Sequence, residues 1–196
     1  MSVDFDAEAT VNKQIICDVS KVLYARGLIT VNGGGVSIHT KKDIFYLPTG
    51  GICGILEDEI KQIFIGSVQT ELKDLCGGAF EFPINNCRAV VHTHSENARR
   101  FAEKHKIGVF ETKGNVNTKA IWNRATNEKY GNVFLPIIKQ VSDENALLDA
   151  IRKAFHENAT TYSVLVKDHG LFTFGSTWQR ARGEAEAFEE LFKYNI

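Results

Sequence analysis

Apolar residues recur at helical spacing in four stretches of the chain. The first runs from residue 8 to residue 26 and ends before Gly27, which suits a left-handed C-terminal cap. Its apolar stripe consists of Val11, Ile15, Ile16, Val19, Val22 and Leu23. The other stretches span residues 95–105, 142–155 and 177–194, and Ser142 is the expected N-cap of the third helix. The pattern predicts four amphipathic helices, each with one buried face.

Short apolar runs between these helices predict β-strands. They lie at residues 28–39, 43–47, 62–65, 88–94, 107–110, 133–138, 161–166 and 171–174. Pro136 suits an edge strand or an irregular one. Short helical turns are expected at 56–60 and from Phe80, with weak helical character at 116–123. Strands grouped between helices predict an α/β fold with three α/β/α layers, in a single domain over residues 1–196.

Two histidines stand at the end of one predicted strand. His92 and His94 follow the apolar pair Val90 and Val91, and side chains two apart on a strand share a face. Their Cα atoms are then about 6.5–7 Å apart, so both imidazoles can reach one metal ion. The alternative is that two histidines at this spacing have no chemical role.

A third histidine strengthens the metal interpretation. His169 comes just after the strand at 161–166 and is followed by Gly170, where the chain can turn. Catalytic zinc is commonly held by three protein ligands, which leaves a fourth position for water or substrate. Histidines 92, 94 and 169 are therefore the candidate ligands of one zinc ion per subunit. Imidazole also suits other transition metals, so zinc rests on frequency, and manganese, iron and cobalt stay open.

Two glycine-rich turns are candidates for binding an anion. Residues 33–35 are three glycines between two strand-like runs, and Pro48-Thr49-Gly50-Gly51 ends the partner strand. Successive free amides in such loops can form an anion-binding nest, so both could converge on a phosphate. The alternative is a flexible hairpin turn.

Composition limits the function to that of an ordinary soluble protein. The chain has 196 residues, 43% hydrophobic and 24% charged, with a formal net charge of −1. This balance excludes broad electrostatic recruitment to nucleic acid or to an anionic membrane. There is no apolar run of transmembrane length and no secretory leader pattern in the first residues. Four cysteines without CxxC spacing fit a reducing compartment, so we expect a cytoplasmic protein.

Four separated blocks together resemble one known family. They are residues 32–37, 48–50, 92–95 and 168–172, in the same order and at compatible distances over nearly the whole chain. The family is the class II aldolase/adducin family. The resemblance implies a mainly antiparallel central sheet covered by helices and a zinc ion held by the three histidines. It also implies a cyclic tetramer with active sites near subunit interfaces.

Within this family the details are most similar to a dehydratase branch. That branch carries a substrate-contacting cysteine at the position of Cys76, whereas the aldolases have a catalytic glutamate immediately after it, where this chain has Gly77. The similarity implies zinc-dependent dehydration of 5-methylthioribulose 1-phosphate to 2,3-diketo-5-methylthiopentyl 1-phosphate in methionine salvage. The phosphate would bind around Gly34, Gly35 and Gly50, with help from Thr49.

The acid/base residue is the point at which this chain departs from that branch. The expected glutamate aligns with Val116, and the nearest carboxylate is Glu111. Either Glu111 enters the site, where it would move the proton between carbon and hydroxyl, or the chain lacks the usual acid/base. Aldol cleavage or 4-epimerisation of another phosphosugar is an alternative, as is a non-catalytic, adducin-like interaction domain.

Overall fold

Four helices are present, close to the predicted positions. The computed structural model describes residues 3–31, 33–47, 60–64, 87–111, 121–124, 128–129 and 134–195. Within these ranges the helices are α1 (Val3–Ala25), α2 (Glu96–Lys104), α3 (Glu144–Glu157) and α4 (Trp178–Tyr194). In the described ranges, none of them has both the length and the apolar character needed to cross a bilayer.

The ends of the helices follow from local hydrogen bonds. Gly27 has the predicted left-handed conformation, with φ 72°, and the next amide, Leu28 N, donates to Leu23 O at 2.9 Å. The predicted N-cap of α3 was wrong by one residue. Asp143, not Ser142, caps this helix, because the Asp143 carboxylate accepts a hydrogen bond from Ala146 N at 2.7 Å.

The apolar stripe of α1 differs from the prediction at Val11. Ile16, Val19 and Leu23 are buried against the sheet, and Ala9 and Ile15 pack against the same cluster. Val11 is 56% exposed, so it does not belong to the buried face of the helix.

An eight-stranded sheet is the central layer of the described chain. The strands are β1 (Gly35–His39), β2 (Asp43–Tyr46), β3 (Lys61–Phe64), β4 (Ala89–Thr93), β5 (Gly108–Glu111), β6 (Trp122–Asn123), β7 (Glu128–Lys129), β8 (Phe134–Ile138), β9 (Ser163–Val166) and β10 (Gly170–Gly175). The order in the sheet is β3-β2-β1-β4-β10-β9-β8-β5, and the paired neighbours are antiparallel except β8 and β9. This confirms the mainly antiparallel sheet. A separate two-stranded ribbon joins β6 and β7, so Trp122 and Asn123 are extended rather than helical.

Strand β8 corrects one expectation about proline. Pro136 was expected on an edge or in an irregular strand, but β8 lies between β9 and β5. The ladder with β9 covers only Ile137 and Ile138, so it begins after Pro136. The missing proline N–H therefore interrupts no bond of that ladder.

Helices cover both faces of the sheet. On one face α1, α2 and α4 pack on alternate strand residues that include Ala89, Val91 and Leu171. On the other face α3 packs on Val90 and Phe172 with their same-face neighbours. This alternation is the two-residue period of a strand buried on both sides. The three-layer α/β/α arrangement is thus confirmed.

The strand order places three turns at one end of the sheet. Strand β4 ends at Thr93, and β10 begins at Gly170, the position that pairs with the end of β9. On the other side of β4, Gly35 pairs with His92 and is preceded by a tight turn in which Thr30 and Gly33 exchange two backbone hydrogen bonds. The candidate site lies where these turns meet.

Candidate metal centre

Three histidines converge at this end of the sheet. One ligand nitrogen from each of His92, His94 and His169 lies within 4.8 Å of the others. The three ring centroids are 4.6 to 5.0 Å apart. The histidines predicted from the sequence to act together are therefore brought together by the fold, although 75 residues separate His94 from His169.

His92 is the most firmly held of the three. It is fully buried, and its ring stacks on Phe172, with the centroids 3.8 Å apart and the planes 8° from parallel. The His92 Nδ1–H donates to the Leu171 carbonyl at 3.1 Å. Neutral His92 then carries its free electron pair on Nε2, which lies 2.8 Å from His94 Nε2. This is the tautomer that a metal ligand needs.

His94 lies one residue beyond the end of β4, in space that a glycine leaves open. A Cβ added to Gly33 would lie 2.5 Å from His94 Cε1 and 2.7 Å from its Nδ1. Gly33 also has φ 155°, which L side chains rarely adopt. The first glycine of the loop thus makes room for an imidazole.

His169 sits in the turn between β9 and β10. A Cβ on Gly170 would lie 2.0 Å from Thr93 O and 3.1 Å from atoms of both other rings, so glycine is required there as well. Asp168 precedes His169 with φ 61°, a conformation that aspartate tolerates better than most residues. Among the described residues, His169 Nε2 is a buried atom without a hydrogen-bond partner.

Burial keeps all three rings neutral. The pKa of His92 is lowered well below its usual value, first by desolvation and then by His94 and His169. Burial, with a smaller effect of His169, lowers the pKa of His94 to about 4, and burial also lowers the pKa of His169. Near neutral pH each of the three imidazoles is therefore neutral and has one ring nitrogen with a free electron pair that could bind a metal.

These properties fit a metal ion. Three neutral imidazoles face one point, one of them holds an unpartnered buried nitrogen, and another is fixed in the metal-binding tautomer. A three-nitrogen set is the donor chemistry of catalytic transition-metal sites with an open position. This group could therefore hold a metal ion.

A cavity of about 470 Å³ opens beside His94 and His169. Its charged lining residues are Glu96, Arg99 and Asp168. The Arg99 guanidinium bonds to Glu96 at 2.6 Å and also pairs with Glu103, and the bond to Glu96 is the main cause of its raised pKa. Two carboxylates and one guanidinium leave the cavity with a small negative charge, which a divalent cation would reverse.

The structure does not bring Glu111 to the histidines of its own chain. Glu111 ends β5, where it pairs with Phe134 at the start of β8, whereas Ile138 at the other end of β8 is beside Val166. Four residues of strand separate these ends, about 13 Å. Glu111 also lies two strands to the side of β9, which leads to His169.

The other predicted binding residues divide into two groups. Gly34 and Gly35 are buried next to β4, where a Cβ on Gly34 would lie 3.0 Å from the His92 carbonyl oxygen. Close backbone packing therefore accounts for Gly34 without reference to an anion. Thr49, Gly50 and Cys76 lie outside the described residues.

Sequence reasoning missed the residues that support the histidines. Phe172 and the Leu171 carbonyl hold His92, and the space at Gly33 admits His94. Phe172 lies in the block at residues 168–172, but nothing in the sequence pairs it with His92, which lies on another strand, 80 residues earlier. Such contacts across strands depend on register, which local patterns do not report.

Two curated proteins that are similar in sequence to this chain have the same enzyme name. A methylthioribulose-1-phosphate dehydratase of Schizosaccharomyces japonicus is 29% identical over 199 residues, which cover 91% of this chain and 84% of that protein. The protein of the same name from Schizosaccharomyces pombe is 27% identical over 200 residues, which cover 92% of this chain and 86% of that protein.

Solved structures agree on the fold. The crystal structure of L-fuculose-1-phosphate aldolase from Thermus thermophilus superposes with a TM-score of 0.62 at 17% identity, covering 96% of this chain and 93% of the aldolase. The profile of the class II aldolase and adducin N-terminal domain matches residues 84–196, which include all three histidines. With more than half of its length matched and the same fold, this chain belongs to the class II aldolase and adducin family.

Proposed function

We propose that this chain is a metal-dependent lyase that dehydrates methylthioribulose 1-phosphate, a step of methionine salvage. The observation that carries the proposal is the cluster of His92, His94 and His169 in a chain similar over about nine-tenths of its length to dehydratases of that name. The whole chain, as one domain, would carry this activity.

Zinc is the metal we propose, one ion per subunit. When bound, it would act as a Lewis acid that stabilises negative charge on substrate oxygen atoms. His92 holds its lone pair inward through its bond to the Leu171 carbonyl. Gly33 leaves room for the His94 ring, and Gly170 leaves room for the rings of His92 and His94. The protein would thus contribute three neutral imidazoles that already lie close together before the metal binds.

A phosphosugar suits the charge of the loaded site. The cavity beside the histidines carries Glu96, Arg99 and Asp168, and a divalent cation would make its net charge positive. An anionic substrate is then attracted toward the metal rather than repelled. Arg99 supplies a permanent positive charge on the cavity wall.

The phosphate is proposed to bind the backbone around Gly34, Gly35 and Gly50, with the Thr49 hydroxyl, and Cys76 to contact the substrate. A hydroxyl that binds the phosphate equally in substrate and transition state contributes to KM more than to kcat. Thr49→Ala should therefore raise KM while kcat changes little. An unchanged KM would remove Thr49 from the phosphate site.

For proton transfer we propose Glu111 of a neighbouring copy in a homotetramer. Glu111 of the same chain lies at the wrong end of the sheet, but it belongs to an edge strand of the described sheet. Val109 of that strand and Ile107 just before it are 53% and 56% exposed, and exposed apolar side chains at a sheet edge favour contact with another chain. The carboxylate would take the proton from carbon or give one to the departing hydroxyl.

Mixing two inactive variants tests this placement. His94→Ala removes a metal ligand and Glu111→Gln removes the proposed base, so each variant alone should be inactive. In mixed oligomers an intact histidine cluster can meet an intact Glu111, and activity should return. No recovery after verified subunit exchange would contradict action between copies, and full activity of Glu111→Gln would remove it from the reaction.

Product analysis tests the reaction itself. The zinc-loaded chain is given methylthioribulose 1-phosphate, and the diketone product is followed, with Glu157→Gln, an exposed glutamate of α3, as a control that should behave as wild type. Dihydroxyacetone phosphate and a methylthio aldehyde, the products of breaking the C3–C4 bond, would indicate aldol cleavage, and an epimer at C4 would indicate 4-epimerisation. Metal binding without any turnover would favour the non-catalytic alternative.

A further inference from the structure

Glu189 of helix α4 reaches the turn that follows the metal-ligand strand. Its carboxylate accepts a hydrogen bond from Ser95 Oγ at 2.5 Å on one oxygen and from Asn97 Nδ2 at 2.7 Å on the other. Ser95 is the residue after His94 and the N-cap of α2. A carboxylate more than 90 residues away in sequence therefore bonds to two side chains at the start of α2, Ser95 and Asn97.

The Ser95 hydroxyl is fixed by two bonds of opposite sense. It donates its proton to Glu189 and accepts from Ala98 N at 3.0 Å. A side chain without an acceptor in place of Glu189 would leave the hydroxyl proton free to rotate. The carboxylate also lies near the N-terminus of α2, where the helix dipole favours negative charge.

His94 depends on this turn more than the other strand histidine does. His92 lies inside β4 and is paired with Gly35 on one side and Phe172 on the other. His94 lies beyond the last residue of β4, and its backbone is held by the bond from its N–H to Leu28 O at 2.8 Å. The residue that follows is tied to Glu189. Movement of this turn would move the His94 imidazole relative to the other two rings.

Apolar packing holds α2 and α4 together without the carboxylate. Phe101 of α2 and Phe192 of α4 have ring centroids 4.6 Å apart, and Ala98 and Phe188 belong to the same buried cluster. Removing the Glu189 carboxylate should therefore leave the two helices docked. Its effect would be local to the turn.

We propose that Glu189 is a positioning residue for the metal ligand His94 and acts through Ser95. The inference rests on the proposed role of the histidines as metal ligands. It predicts that Glu189 raises the affinity for metal, although the hydrogen bonds that hold its carboxylate go to Ser95 and Asn97 and not to an imidazole.

A double-mutant cycle with Ser95 tests the proposal. The wild type, Glu189→Ala, Ser95→Ala and the double variant are each freed of metal and titrated with Co²⁺ and Zn²⁺ against a competing chelator, below their thermal unfolding temperatures. Loss of a hydrogen bond that orients a metal ligand typically lowers the affinity for the metal by about 10–100-fold, so Glu189→Ala should weaken metal binding about tenfold or more. The double variant should bind no more weakly than Ser95→Ala alone, because the same interaction is lost.

Two further variants separate positioning from general stability. Glu190→Ala changes the next residue of α4, an exposed one, and should bind metal as wild type does. Glu189→Gln keeps an acceptor for Ser95 and should bind more tightly than Glu189→Ala. The visible spectrum of saturating Co²⁺ should change in Glu189→Ala, because it reports ligand placement, which loss of helix stability alone would not alter.

The outcomes distinguish this inference from the proposed function. Wild-type affinity and an unchanged Co²⁺ spectrum in Glu189→Ala would overturn the inference alone. Losses that multiply in the double variant would also overturn it, since Glu189 would then act independently of Ser95. A wild-type protein that binds neither ion would overturn the proposed function, and this inference with it.

Discussion

Substituting Gly33 by alanine tests how closely the fold is fitted around the metal ligands. The three atoms nearest to an added Cβ all belong to the His94 imidazole, at 2.5, 2.7 and 2.8 Å. Carbon atoms in contact are normally about 3.5–4.0 Å apart, so the ring would have to retreat by about 1 Å. The φ of 155° adds backbone strain of about 1–3 kcal/mol for a residue with a side chain.

A displacement of that size should remove His94 from the ligand set. Metal–ligand distances are held within about 0.2 Å, so a ring that has moved by about 1 Å no longer bonds well. We expect Gly33→Ala to weaken zinc binding by about 100-fold or more, the upper end of what loss of support to a ligand costs. Zinc content after dialysis and chelator competition would measure the loss.

Gly108→Ala is the matched control for backbone strain. Gly108 has a similar φ of 142°, but nothing lies within 4 Å of an added Cβ. This variant should lose comparable stability and keep wild-type metal affinity. Wild-type affinity in Gly33→Ala, or an equal loss in Gly108→Ala, would refute the steric argument.

Three further predictions concern metal, pH and stability. His94→Ala should abolish metal binding and leave a folded domain, whereas His156→Ala, an exposed histidine of α3, should bind as wild type; full metal occupancy in His94→Ala would rule out the ligand set. Burial lowers the pKa of His39 from 6.5 to about 4, so as pH falls the unfolded chain binds a proton at this residue before the folded chain does. The stability that is present above pH 6.5 is therefore lost as pH falls toward 4, by up to about 3 kcal/mol. Denaturant unfolding across that window should show a shallower loss in His39→Gln, and parallel curves would contradict this cause. Arg124→Ala removes bonds to the carbonyls of Phe155, Asn158 and Ala159, so it should cost about 2–3 kcal/mol in thermal unfolding with no change in metal affinity; an unaltered midpoint would show that these bonds contribute little.

Local pattern was sufficient to predict the four helices and the three histidines that the fold brings together. The stripe in α4 and the caps at Thr177 and Ser95 depend on residues within four positions of one another, so they can be read from the chain. His92 and His94 share a face because of the strand period alone. His169 was found because it follows a strand, and the sheet order then brings that strand end beside β4.

Features that depend on strand order could not be predicted in the same way. Glu111 was expected near the site because it is the carboxylate nearest in the chain to Val116, the position that aligns with the expected glutamate. The antiparallel pairing of β5 with β8 carries it to the opposite end of the sheet. Similarly, the glycines at 33–35 suggested an anion site, whereas the contact of Gly33 with His94 requires the fold of the first 94 residues.

Caps and turns lie between these two cases. Ser142 and Asp143 are both good N-cap residues, and only the position of the helix decides which one accepts the amide of Ala146. Pro136 has no backbone N–H to donate, and whether this costs a hydrogen bond with β9 depends on where the ladder between β8 and β9 begins.

The proposed dehydration is best tested by the turnover of methylthioribulose 1-phosphate by the zinc-reconstituted wild type, compared with the same protein after chelation. We expect one bound zinc per chain, formation of the diketone product by the loaded protein and loss of that product on chelation. One bound zinc per chain with no diketone formed would contradict the proposed reaction, and equal turnover with and without metal would contradict the role of the three histidines.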